Sequence, residues 1–136
     1  MPKRKILVID DEQDLANMLK IRLEANSYKA ATANNGEDGL QKAKSYKPDL
    51  IILDIRMPNM DGLEVLRRLR GEPQTKTIPV IMLTGKGDSE SIFKAEELGT
   101  PDYIRKPFEV EELLNCVRKC IGTGEDEGLK GWITQY

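Results

Sequence analysis

Polar residues stand at or near the ends of four short apolar segments in this sequence. Asp10 and Asp11 follow the first segment, Asp54 the third and Thr84 the fourth, while Lys106 comes shortly after a fifth, weaker segment. Carboxylates bind hard cations and can act as nucleophiles, whereas a hydroxyl and an ammonium group can hold an anion. If the fold brings these side chains together, they can bind a cation and accept an anionic group.

The apolar segments predict five β-strands, over residues 6–9, 29–33, 50–53, 80–83 and 103–104. The first, third and fourth are continuously apolar, which is typical of strands buried on both faces, so we place them in the centre of the sheet. The second is more polar and the fifth is short. We therefore expect these two at the edges.

Apolar residues at helical spacing lie between the strands and predict amphipathic helices. The three clearest stripes are Leu15, Met18, Leu19 and Leu23; Leu63, Leu66 and Leu69; and Val110, Leu113, Leu114, Val117 and Ile121. Weaker helices are expected over residues 39–45, before Pro48, and 89–98, with Asp88 as N-cap and Gly99 as C-terminal stop.

This alternation predicts an α/β fold, a flavodoxin-like doubly wound (βα)5 domain whose five parallel strands have the order 2-1-3-4-5. Ligands of such sheets bind beyond the carboxyl ends of the strands, near the point where the strand order reverses. The polar residues described above would all meet at that edge. Each also has an ordinary interpretation, as a helix cap, a turn residue or a solvated lysine, but the agreement of four strand ends favours a site.

Three neighbouring aspartates repel one another, so without a cation at least one of them should have a raised pKa. Oxygen ligands without histidine or cysteine favour Mg²⁺, or Mn²⁺, over zinc or copper. An aspartate can also accept a phosphoryl group covalently. Asp54, on the central third strand, is our candidate acceptor, with Asp10 and Asp11 holding the metal and with Lys106 and Thr84 contacting phosphate oxygens.

The composition narrows the possible functions. The chain has 136 residues, two cysteines, a net charge of −2 and no histidine. This length suits one domain, and the missing histidine excludes imidazole catalysis and a phosphohistidine on this chain. Two cysteines are too few for a secreted disulfide framework, so we expect a cytoplasmic protein. The charge gives no field that would attract nucleic acid, and no apolar run is long enough for a membrane span.

Five motifs in this order resemble the receiver domain of two-component response regulators, in particular the single-domain chemotaxis regulators. The resemblance covers about residues 4–121 and rests on VIDD at 8–11, PDLIILD at 48–54, MPNMDG at 57–62, LT at 83–84 and KPF at 106–108. It implies Asp54 as phospho-acceptor and Mg²⁺ bound by Asp10, Asp11, Asp54 and the backbone carbonyl of Arg56. It also implies phosphate contacts from Thr84 and Lys106, and a cis peptide bond before Pro107.

The resemblance further implies partners and a switch. The donor would be a sensor histidine kinase or a histidine phosphotransfer protein. Thr84 and the aromatic Tyr103 would move on phosphorylation and alter the surface of the fourth helix, fifth strand and fifth helix, where a downstream protein or a second copy would bind. The alternative for Tyr103 is an ordinary residue of an amphipathic strand. Arg56 and Lys86 match positions that influence the lifetime of the acyl phosphate, and the alternative is that both are solvated charges.

We expect the receiver domain to cover residues 1–121, with residues 122–136 forming a flexible glycine-rich and acidic tail that contains a short amphipathic segment. No output domain fits in that tail, which suggests a stand-alone regulator or a piece of a longer chain.

Two rival functions are a magnesium-dependent aspartyl-phosphate phosphatase and a receiver that works without phosphorylation. The phosphatase normally carries Asp-x-Asp at the nucleophile, whereas this chain has Asp54-Ile55-Arg56.

Overall fold

Five strands and five helices alternate along the chain in the computed structural model, which describes residues 3–85, 87–100 and 102–123. In chain order they are β1 (Lys5–Ile9), α1 (Gln13–Ala25), β2 (Lys29–Ala33), α2 (Gly36–Ser45), β3 (Leu50–Asp54), α3 (Gly62–Arg70), β4 (Val80–Thr84), α4 (Ser89–Glu97), β5 (Asp102–Arg105) and α5 (Val110–Ile121). None of the described helices combines the length and apolar character that a membrane span requires.

The strands form one parallel sheet with the order β2-β1-β3-β4-β5. This confirms both the predicted order and the edge positions of β2 and β5. In the registers, Ile9 lies opposite Leu53 and Asp54 lies opposite Leu83. The carboxyl ends of β1, β3 and β4 therefore reach the same edge of the sheet.

The sheet separates two hydrophobic cores, and alternate residues of each central strand face opposite cores. Ile6 and Val8 of β1 pack with α1 and α5 on one side, while Leu7 and Ile9 pack with α2, α3 and α4 on the other. All four side chains are fully buried. Because each buried aliphatic side chain contributes about 1.5–3 kcal/mol, the continuous apolar strands explain why this sheet is stable with helices on both faces.

Two predicted helix boundaries were wrong. Helix α2 begins at Gly36 rather than at residue 39, because the Asn35 side chain accepts a hydrogen bond from the Asp38 amide (2.9 Å) and starts the helix one turn earlier. The helix α4 ends at Glu97 rather than at residue 98. The predicted stop at Gly99 is confirmed, since this residue has a φ of 81°, which glycine adopts without strain.

The prediction of Asp88 as N-cap is confirmed for the position of the residue. Asp88 occupies the N-cap position of α4, but its carboxylate makes no capping hydrogen bond to this helix. The carboxylate instead accepts a hydrogen bond from the amide of Gly85, in the loop before α4.

The C-terminal end of helix α5 is anchored by Tyr28, whose hydroxyl donates a hydrogen bond of 2.6 Å to the Gly122 carbonyl. The predicted tail, residues 122–136, lies outside the described residues except for Gly122 and Thr123. Its flexible and amphipathic character stays a prediction.

Candidate functional site

Three aspartates meet at the carboxyl edge of the sheet. Among the described residues, Asp10, Asp11 and Asp54 form a group whose carboxylate oxygens lie within 4.8 Å of one another. Asp10 follows β1 and is fully buried, and Asp54 is the last residue of β3 and only 4% exposed, whereas Asp11 faces solvent. The parallel sheet therefore brings together the aspartates that the sequence predicted to be neighbours.

Lys106, the residue directly after β5, joins this group at the same edge of the sheet. Its ammonium nitrogen lies 3.4 Å from Asp10 Oδ2 and 3.3 Å from Asp54 Oδ1. The Lys106 amide donates a 2.6 Å hydrogen bond to the Thr84 carbonyl, which fixes the lysine backbone beside the end of β4. The peptide bond between Lys106 and Pro107 is cis, as the resemblance implies.

Burial and mutual repulsion change the protonation of these groups. Burial, followed by the charge of Asp10, raises the pKa of Asp54 from its ordinary value of 3.8 to about 6. Burial also raises the pKa of Asp10. For Lys106, burial opposes the charged form, but the carboxylates of Asp54 and Asp10 outweigh it and raise the pKa. One lysine thus compensates only part of the negative charge, as predicted from the sequence.

The residues of this site fit a hard divalent cation. The donors are carboxylate oxygens of Asp10, Asp11 and Asp54, the ligand type that Mg²⁺ and Mn²⁺ prefer. Three carboxylates carry a formal charge of −3, and Lys106 with a divalent ion would carry +3. Asp11 faces solvent, so an ion there could keep the waters that Mg²⁺ retains. The Arg56 carbonyl as a further ligand stays a prediction.

Thr84 and Tyr103 lie on the neighbouring strands β4 and β5. Thr84 is buried, and its hydroxyl donates to the backbone carbonyl of Ile104 at 3.4 Å. The Tyr103 side chain is 41% exposed, so its ring points outward rather than into the core. The two residues are close in the sheet, and the hydroxyl is engaged with β5 rather than with Asp54.

Arg56 and Asp88 connect two loops beside the aspartates. The Arg56 side chain is 65% exposed, and its guanidinium lies 2.8 Å from Asp88 Oδ1. Bonds from Arg56 explain why the Asp88 carboxylate faces away from α4. Lys86, the other candidate for tuning phosphate lifetime, lies outside the described residues.

The loop after β3 approaches Asp54 so closely that one position must be glycine. The Gly62 amide donates a 2.7 Å hydrogen bond to the Ile55 carbonyl. A Cβ atom added to Gly62 would lie 2.2 Å from the Asp54 carbonyl oxygen and 2.8 Å from Ile55 Cα. Asp61 then caps α3 by accepting a hydrogen bond from the Glu64 amide at 2.9 Å. The start of α3 therefore holds the end of β3, and Asp54 with it, in place.

Sequence reasoning missed two contacts at the site. Glu12 places a carboxylate oxygen 3.2 Å from Lys106 Nζ, and its position directly after the aspartate pair was a signal that could have identified it. The bond between Asp88 and Arg56 joins residues 32 positions apart, and no local pattern indicates it.

Comparisons with known proteins agree with this geometry. Residues 6–118 match the family model of the response regulator receiver domain. The chain is 42% identical over 117 residues to the response regulator ArlR of Staphylococcus aureus, covering 86% of this chain and 52% of ArlR. It thus spans about half the length of that curated relative.

Solved structures give the same result for the fold. The chemotaxis protein CheY4 of Vibrio cholerae has a TM-score of 0.82 and 31% sequence identity, covering 88% of this chain and 99% of CheY4. A response regulator receiver domain protein from Clostridium thermocellum has a TM-score of 0.81 and 32% identity, covering 87% of this chain and 94% of that protein. The predicted flavodoxin-like architecture is confirmed by these neighbours and by the strand order.

Proposed function

Since the chain belongs to the response regulator receiver domain family, we propose that Asp54 accepts a phosphoryl group from a phosphohistidine donor in a reaction that requires Mg²⁺. The observation that supports this most is the position of the Asp54 carboxylate. It ends the central strand, lies 3.3 Å from the Lys106 ammonium, and shares its edge of the sheet with two further aspartates. Such a site provides an acceptor, a cation-binding group and an anion contact together.

In the proposed reaction, an oxygen of Asp54 attacks phosphorus and forms a P–O bond, while the P–N bond of the donor breaks and the imidazole nitrogen takes up a proton. Asp10, Asp11, Asp54 and the Arg56 carbonyl would hold Mg²⁺, which supplies charge neutralisation at the phosphoryl oxygens. Lys106 pairs with one phosphoryl oxygen, and the Thr84 hydroxyl donates to another. The chain catalyses only its own phosphorylation and dephosphorylation.

The proposed output follows from the same contacts. When the Thr84 hydroxyl turns from the Ile104 carbonyl to the phosphate, it vacates space beside β5 into which Tyr103 can turn. The affected surface consists of α4, β5 and α5. Its aromatic side chains are exposed, Phe93 by 63% and Tyr103 by 41%, which suits a surface that binds a downstream protein or, after phosphorylation, a second copy.

Incubation with Mg²⁺ and acetyl phosphate tests the proposed function. We expect the intact mass to increase by one phosphoryl group per chain, and we expect no increase with excess EDTA or in the Asp54→Asn variant. Steady turnover of added phosphate esters would instead indicate the aspartyl-phosphate phosphatase. A wild-type protein that neither takes up the group nor binds beryllofluoride would indicate a receiver that works without phosphorylation.

We also propose that Arg56 and Lys86 lengthen the lifetime of the acyl phosphate by excluding the attacking water. Alanine at either position should accelerate phosphate loss about threefold. The measurement is the decay of the phosphorylated mass after donor removal. Arg67→Ala is the matched control, because Arg67 is an exposed arginine that contacts Glu64 on α3. Decay rates equal to the control would make both residues ordinary surface charges.

A further inference from the structure

Asp88 binds two hydrogen-bond donors at the rim of the site. Its Oδ2 accepts the Gly85 amide at 2.6 Å, and its Oδ1 accepts Arg56 Nε at 2.9 Å. Burial opposes the charged form of Asp88, but the bonds from Arg56 and from the Gly85 amide outweigh it and lower the pKa. Asp88 is therefore an ionised, 5% exposed carboxylate that holds donors from two different loops.

Both donors stand close in the chain to residues of the proposed phosphoryl site. Gly85 directly follows Thr84 at the end of β4, and Arg56 stands two residues after Asp54. A phosphoryl group brings strongly accepting oxygens, for which a guanidinium and a backbone amide are good donors.

Helix α4, which begins directly after Asp88, is held less firmly than its neighbour. It buries two residues, Ile92 and Ala95, whereas α3 has the same length and buries five. At its other end, Arg70 Nε donates a 2.7 Å hydrogen bond to the Leu98 carbonyl. The contacts of Asp88 thus tie the residue that begins α4 to two loops beside the site.

We propose that the Asp88 carboxylate competes with a phosphoryl group on Asp54 for the Gly85 amide and the Arg56 guanidinium. This inference rests on the proposed function. In the unmodified protein Asp88 occupies both donors, and in the phosphorylated protein the phosphoryl oxygens take them and free Asp88 together with the start of α4. Asp88 is then a positioning residue that opposes phosphorylation and couples it to α4.

Binding of beryllofluoride in the presence of Mg²⁺, measured by calorimetry, tests this competition. Asp88→Asn keeps the shape of the side chain but weakens its hold on both donors, and we expect it to bind the phosphoryl mimic about tenfold more tightly than the wild type. Glu90→Gln is the matched control, since Glu90 lies in the first turn of α4 and pairs with Lys94. It makes the same charge change, and its affinity should equal that of the wild type.

A double-mutant cycle separates competition from a purely structural role. In an Arg56→Ala background one of the contested donors is absent, so Asp88→Asn should tighten binding by a smaller factor than in the wild type. The same factor in both backgrounds would overturn the inference, as would an Asp88→Asn affinity no higher than that of Glu90→Gln.

The wild-type protein provides a test that needs no variant. The side-chain carboxyl ¹³C resonance of Asp88 should shift on addition of beryllofluoride and saturate with the same dissociation constant as calorimetry. An unchanged resonance at saturation would overturn the inference while leaving the proposed function intact. Failure of the wild type to bind beryllofluoride at all would instead overturn the proposed function and the inference with it.

Discussion

Asp54→Asn is expected to take up no phosphoryl group from acetyl phosphate and yet to fold more stably than the wild type when Mg²⁺ is removed. The functional loss follows because an amide lacks the anionic oxygen that attacks phosphorus. The gain in stability has a different cause. Asp54 is 4% exposed and lies beside Asp10, so its negative charge is unfavourable in the metal-free fold.

The direction of the pH dependence follows from the raised pKa. Between its ordinary pKa of 3.8 and its folded pKa of about 6, the folded protein binds more protons at Asp54 than the unfolded chain does. The contribution of Asp54 to stability is therefore full below the lower value and is lost as pH rises through the upper one. We expect Asp54→Asn to raise the free energy of unfolding by about 1–2 kcal/mol at neutral pH, since the lost Lys106 contact offsets part of the gain.

Urea denaturation with EDTA, at neutral pH and again below pH of about 4, measures this difference, which should shrink at the acidic value. Added Mg²⁺ should stabilise the wild type and leave the variant nearly unchanged. Asp14→Asn is the control, because Asp14 is an exposed residue in the first turn of α1 and should gain nothing from losing its charge. A metal-free Asp54→Asn protein less stable than the wild type at neutral pH would contradict the charge argument, and phosphoryl uptake by it would contradict the acceptor assignment.

Most of the site could be predicted from the sequence because parallel strands bring their carboxyl ends to one edge. Asp10 and Asp54 stand at the carboxyl ends of two neighbouring strands. Once these strands are recognised in the sequence, the two aspartates are predicted to lie together. The clustering of charge and the raised pKa of a carboxylate then followed from electrostatics alone. No side-chain detail was needed for either step.

Asp88 shows what local sequence patterns cannot supply. An aspartate before a helix normally caps it, and the statistics of such positions favour that interpretation. Here the carboxylate accepts hydrogen bonds from Arg56, 32 residues earlier in the chain, and from the Gly85 amide, and it makes no capping bond to α4. The outcome depends on which loops the sheet places side by side, and that information enters only with the tertiary structure.

Gly62→Ala is expected to destabilise the protein by about 3 kcal/mol or more, because the added methyl group overlaps backbone rather than a movable side chain. The new Cβ would lie 2.2 Å from the Asp54 carbonyl oxygen. Relief requires α3 to move away from β3, which also breaks the 2.7 Å hydrogen bond from the Gly62 amide to the Ile55 carbonyl. Since Asp54 ends β3, the affinity for Mg²⁺ should fall with the stability.

Gly71→Ala provides the matched control at the other end of the same helix. Gly71 has right-handed helical backbone angles, and a Cβ there would lie 3.6 Å from its nearest neighbours, which is ordinary contact. Alanine is favoured over glycine by about 0.5–1 kcal/mol in such a conformation, so this variant should be neutral or more stable. Chemical denaturation of both variants compares them directly. Equal stabilities would contradict the close approach at Gly62, whereas a loss of both stability and Mg²⁺ affinity in Gly62→Ala alone would support the conclusion that α3 holds Asp54 in place.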